Sequence, residues 1–168
     1  CEGVRNRELR NRSKAQGLQM LNDRIQQFYR ANPTPAQLQS LAMTNLIDDR
    51  NERDSFPILH GKAVKAANTR YIIPFAAQLA TELNRGTDHQ RHRQRCCAEL
   101  QRFSDIIHGA GQFLKPEEVA DLKSATVKCL QHYVWMSKEA VRNGEMAWNI
   151  VPKHHYMMHI GLRAAYMN

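Results

Sequence analysis

Residues Glu117 to Arg142 constrain the fold more than any other stretch. Two apolar stripes run side by side here at helical spacing. One is Leu122, Ala125, Cys129, Tyr133, Met136 and Ala140; the other is Val119, Val127, Leu130, Val134 and Val141. A helix apolar over so wide an arc has to be covered on more than one side, so it belongs at the centre of a bundle. Its ends are marked as well. Lys115-Pro116-Glu117-Glu118 offers a proline at the first helical position and acids in the first turn, where the helix dipole favours them. Asn143-Gly144 stops it.

The remaining periodicity points to an all-α chain, and only 8 glycines and 6 prolines in 168 residues argue against a many-turned β fold. A helix is expected from about Arg7 to Arg30, with Leu18, Leu21, Ile25 and Phe28 on one face. Asn32-Pro33-Thr34-Pro35 ends it and is expected to open a short helix. Thr34 would be its N-cap, Pro35 its first residue, and Leu38, Leu41 and Met43 to Ile47 its apolar side. The polar run Asp48 to Ser55 is a surface loop and the internal boundary, dividing a basic N-terminal part (1–54) from a helical core (55–168) within one compact domain.

A third helix spans about Lys62 to Asn84, with Val64, Ala67, Tyr71, Phe75, Leu79 and Leu83 on one face. Pro74 inside it is expected to produce a kink. After the stop at Asn84-Arg85-Gly86, a fourth helix starts at Thr87 or Asp88 and buries Cys96, Leu100, Phe103 and Ile107 before Gly109-Ala110-Gly111. A last helix runs from about Pro152 to Tyr166. The expectation is an irregular bundle of about six helices.

Composition narrows the function classes. Apolar residues make 42% of the chain and charged residues 24%, the balance of a globular protein with a real core. No apolar run reaches the roughly 18 residues that span a bilayer, and no apolar region follows the charges of Cys1 to Arg5, so neither a membrane nor a signal peptide is expected. The sequence does not open on methionine and is taken as a piece of a longer chain or a processed product, with the rest of a longer parent chain as one expected partner. Four cysteines without a CxxC pair suggest reduced thiols in a nuclear or cytoplasmic protein.

The net charge of +8 favours an acidic partner, foremost nucleic acid. Arg5, Arg7, Arg10, Arg12 and Lys14 face only Glu2 and Glu8 as opposing charges nearby, and form a candidate phosphate-contacting arm. Arg91, Arg93 and Arg95 sit in the first turns of their helix, against the macrodipole, a placement that a bound anion would relieve. A solvated basic face is the alternative reading of each set.

For chemistry the sequence offers little. His155 and His159 share a helix face at metal-ligand spacing, but Tyr156 stands where a zinc-protease helix carries its glutamate. His89, His92 and Cys96 also share a face, crowded by arginines that repel cations. Cys96 or Cys97 beside a histidine has the components of a nucleophile without any local signature. No nucleotide-binding, hydrolase or metalloprotease motif occurs, so no catalytic residue, metal site or cofactor is assigned.

Three groups of residues, in order, carry a likeness to a known family. They are Leu59 to Lys65 with Asn68-Thr69-Arg70; Cys129 to Tyr133 with Trp135-Met136; and Trp148-Asn149 with Pro152 to His155 and His159. Together they resemble transposon-derived proteins of protist genomes, which in turn are similar to CACTA-type transposases with a Pro-Lys-x-His-x-x-x-His-like segment. Lys153, His155 and His159 fit that pattern over a resemblance covering about Phe56 to Asn168. The resemblance implies a helical insertion within a ribonuclease-H-like transposase, with the catalytic acids outside this stretch. Two rival readings are a helical protein-interaction domain and a metal-dependent enzyme using His154, His155 and His159.

Overall fold

The computed structural model describes the backbone of residues 2–42, 66–145 and 147–166, and the side chains of 14–42, 68–145 and 147–166. Among these residues the chain is all-α, without strands. Five α-helices form: α1 (Glu2–Ala31), α2 (Ala66–Glu82), α3 (Asp88–Gly109), α4 (Pro116–Arg142) and α5 (Pro152–Arg163), with a closing 3-10 turn at Ala164–Tyr166. No described helix is long and apolar enough to cross a membrane. The chain forms two compact units, Cys1–Ile72 and Ile73–Asn168.

The first unit is organised by α1. Ile25 and Tyr29 are buried on it, while Leu18, Leu21 and Phe28 are partly covered. The chain then turns back along the helix in an extended path. The Asn22 side-chain amide accepts from Leu41 N (2.7 Å) and donates to Leu41 O (2.9 Å). Tyr29 Oη accepts from Leu38 N (3.2 Å), and Gln26 Nε2 donates to Leu38 O (3.4 Å). The short helix expected from Pro35 is therefore not formed over residues 35–42. Thr34 Oγ1 donates to Ala36 O (2.9 Å) instead of accepting from the first turn of a helix. The physical reason is that side chains one and two turns apart on α1 supply the backbone partners a helix would otherwise provide. They also let Leu38 and Leu41 bury almost fully. Met43 to Ile47, Asp48 to Ser55 and the start of the third expected helix lie outside the described residues.

Pro74 stands inside α2, where it has no N–H to offer the Arg70 carbonyl. Beyond it Phe75, Ala77 and Ala80 are buried, but Leu83, expected on the same face, is 41% exposed at the helix end.

The second unit is built on α4, against which α3, α5 and the 3-10 turn all pack. The first expected stripe is the core of this helix: Leu122, Ala125, Cys129, Met136 and Ala140 are buried, joined by Thr126. The second stripe is half-covered at Val127, Leu130 and Val134 and ends on Val141, which is 71% exposed.

The helix ends follow local chemistry. Thr87 caps α3, its hydroxyl accepting from Gln90 N (3.2 Å). At the start of α4, Glu118 reaches back to accept from Lys115 N (2.7 Å). α4 closes through Gly144 at φ +68, with Glu145 N donating to Ala140 O (2.9 Å). On α3 the buried stripe holds at Cys96 and stays partly covered at Leu100 and Phe103, but fails at Ile107, 39% exposed near the free end of the helix. Arg102 ties α3 to α4 at the surface by pairing with Asp121 at 2.7 Å, and it also lies 3.8 Å from Glu99 on its own helix.

Candidate functional site

The unusual residues of the second unit gather where α3, α4 and the segment 147–154 meet. Met136 is fully buried there, with Cys96 and Cys129 beside it. Leu100, Tyr133, Trp135, Trp148 and Met157 close around them. His92 lies flat on Trp135, with ring centroids 3.8 Å apart and planes 7° from parallel. Its Nδ1 meets His132 Nδ1 at 3.0 Å, so one ring donates and the other accepts. Tyr133 packs edge-on to Trp148 and at 4.2 Å from the His154 ring, and its hydroxyl donates to Asn149 O (2.8 Å).

Trp148 adopts φ +60, the left-handed region. A non-glycine residue there costs on the order of 1–3 kcal/mol and persists only when its surroundings hold it. Here Tyr133 on one side and His89 on the other do so. The next helix starts at Pro152, and His154 Nδ1 accepts from Val151 N (3.0 Å), fixing that ring at the helix start.

This packing decides what the cluster can do chemically. The expected His89, His92 and Cys96 set is divided among three neighbours: Trp148, the His132–Trp135 pair, and Cys129. His154, given to its helix start, does not join His155 and His159. Among the described residues no group of three or more metal-ligating side chains exists. The enzyme reading therefore lacks its ligand trio.

The Cys96 thiol lies 3.7 Å from Cys129 Sγ and 3.5 Å from Cys129 O. Its hydrogen bond to Cys129, then its burial, hold its pKa far above the ordinary thiol value. Burial also pushes Cys97 up. Neither is held as a ready thiolate by its surroundings.

Burial lowers the pKa of His92, with Arg95 adding to the effect, and lowers that of His132, with His92 and Arg95 adding. The unfolded chain takes up these protons near pH 6.5 or so, the folded chain only at lower pH. In that window the unfolded state binds more protons, so stability falls as pH falls through it and is unaffected by this pair above about pH 8. The urea midpoint is expected to drop between pH 8 and pH 5, and less steeply in His132→Gln; equal slopes would show that the pair does not set the dependence.

The basic candidates are distributed unequally. Arg5, Arg7, Arg10 and Arg12 stand on the α1 backbone in residues whose side chains are outside the described set, and Lys14 is exposed. On α3, Arg91 is engaged locally, donating to Gly86 O and pairing with Asp88. Asp88, in the first turn, offsets the dipole cost that the sequence left open. Arg93 is half-buried and its Nε has no hydrogen-bond partner among the described residues, whereas Arg95 is exposed. α5 carries His155 and His159 with their Nε2 atoms 2.8 Å apart.

The sequence located the tryptophan, proline and histidine positions of this cluster but missed the pairing of His92 with His132 and Trp135. Those partners are 40 or more residues apart, and the signal lies only in His132 and Trp135 being three apart on one helix. No protein-family model, curated protein or solved structure matches the chain.

Proposed function

We propose that the chain is a DNA-binding helical region of a transposase-like protein, contacting phosphates and without a complete active site of its own. The observation that carries this is the continuity of α1 from Glu2 to Ala31. It sets Arg5, Arg7, Arg10, Arg12 and Lys14 along about 14 Å of one helix axis, with only Glu2 and Glu8 as acids in that segment. A DNA duplex offers one phosphate charge per roughly 1.7 Å of its axis, so such a rod meets several phosphates at once. Exposed Arg95 adds a cation in the second unit, and α5 contributes Lys153 and Arg163 without any acid. Separately, we propose that α2 bends at Pro74, because proline leaves a gap in the helical hydrogen bonding.

Binding of this kind is independent of sequence and sensitive to salt. Fluorescence anisotropy of a labelled duplex is expected to show binding at about 50 mM salt that weakens steeply as salt rises. Replacing Arg7, Arg10 and Arg12 together by alanine should flatten the logarithmic salt slope by about 0.9 for each phosphate that the protein no longer neutralises. Absence of binding at low salt would sink the proposal.

A protein-interaction role is the second reading, favoured by a groove of about 430 Å³ along the outer stripe of α4. It is lined mainly by Val127, Leu130, Val134, Trp135 and Met158. Apolar grooves between helices are where amphipathic partner helices dock. Failure of the duplex titration, together with poor solubility relieved by Leu130→Glu, would favour this reading.

A further inference from the structure

We propose that His155 and His159 form a two-histidine site for a divalent transition-metal ion of the Cu2+ or Ni2+ kind on the outer face of α5. The two residues stand one turn apart, with ring centroids 4.2 Å apart, planes at 85° and Nε2 atoms separated by 2.8 Å. Imidazole binds such ions at about 2.0–2.1 Å, so two nitrogens at right angles around the ion lie about 2.9 Å apart, against about 3.3 Å in a tetrahedron. The observed spacing matches the right-angle arrangement, which tetragonal Cu2+ and Ni2+ prefer.

In the pair as it stands, one Nε2 carries the hydrogen and the other presents its lone pair. Ion binding moves that proton to Nδ1 of the same ring, which is the other neutral tautomer, and leaves both Nε2 lone pairs for the ion. Tyr156, beside them, is 65% exposed, and His155 itself is exposed, so an ion reaches the pair from solvent. No third ligand joins them among the described residues, which leaves the other positions to water or an outside donor. The anchor is behind the helix, where Gly161 is buried against Thr126 and fixes α5 on α4. The unfolded chain has no such fixed pair, so the ion binds the folded form preferentially. The site shares α5 with Lys153 and Arg163, but its ligands and its test do not depend on nucleic-acid binding, and it needs no third histidine.

The test uses the whole chain without a histidine tag. Titration with Cu2+ followed by electron paramagnetic resonance is expected to give an axial spectrum coupled to two imidazole nitrogens, and Ni2+ should raise the melting temperature. His155→Gln and His159→Gln should each weaken Ni2+ binding at least tenfold and remove the two-nitrogen signature, with helical circular dichroism unchanged. His89→Gln should leave both intact. A two-nitrogen spectrum that survives in His159→Gln, or Ni2+ affinity unchanged in both α5 variants, would overturn the proposal.

Discussion

Met136→Ala is expected to destabilise the folded chain by about 2–5 kcal/mol, the range for removing a fully buried aliphatic side chain and leaving a cavity. Met136 is 0% exposed at the point where Cys96 and Cys129 meet it and Leu100, Tyr133, Trp135, Trp148 and Met157 enclose it. The aromatic walls are held by their own neighbours, Trp135 stacked on His92 and Tyr133 bonded to Asn149 O, so they cannot collapse into the space. Met136→Leu, which nearly conserves volume, should cost less than about 1.5 kcal/mol. Urea denaturation checks both: the midpoint shifts while the slope stays constant. Equal losses for Ala and Leu would show that the cavity is not the cause.

Gly161→Ala is the second large effect, at about 1–3 kcal/mol or more for forcing extra volume into a closed packing. A Cβ at this position would lie 2.6 Å from Thr126 Cβ and closer still to Thr126 Oγ1. Thr126 cannot yield easily, because it is fully buried and its hydroxyl donates to Leu122 O (2.7 Å). Removing only the hydroxyl and methyl would still leave its Cβ in the way. Thr126→Gly makes room at a helix-propensity cost of about 0.3 kcal/mol relative to threonine, plus the loss of a buried side chain. A double-mutant cycle is therefore expected to show Gly161→Ala costing less in the Thr126→Gly background than alone. Strict additivity would place α5 further from α4 than the structure does.

The residues differ in how much of this was legible from sequence. Pro116, Glu118 and Asn143-Gly144 bound α4 through local chemistry, and so its limits could be read almost to the residue. Thr87 and Pro152 did the same for the starts of α3 and α5. Two features resisted. Leu38 and Leu41 have helical spacing, yet Asn22, Gln26 and Tyr29 on α1 capture that segment's backbone groups and draw it out straight. The two stripes of α4 look alike in sequence, yet one is core and the other lines a groove.

Among the candidate site residues, the sequence found the histidines and arginines but could not assign their partners. His155 and His159 meet because helical periodicity alone brings them together. His92 meets His132 and Trp135 only because α3 lies on α4. Arg91, Arg93 and Arg95 look equivalent in the chain, yet one is paired, one is half-buried and one is exposed.

By itself, then, the sequence determined the all-α class, the limits of α4, the starts of α3 and α5 and the inner face of α4, while the last helix, expected to run to Tyr166, gives way to a 3-10 turn after Arg163. Caps, prolines and apolar periodicity act over one or two turns and are written locally. Tertiary structure decided the extended return at 35–42, the stacking of His92 and the need for glycine at 161. Each depends on a partner well beyond one helical turn along the chain, whose distance no local pattern encodes.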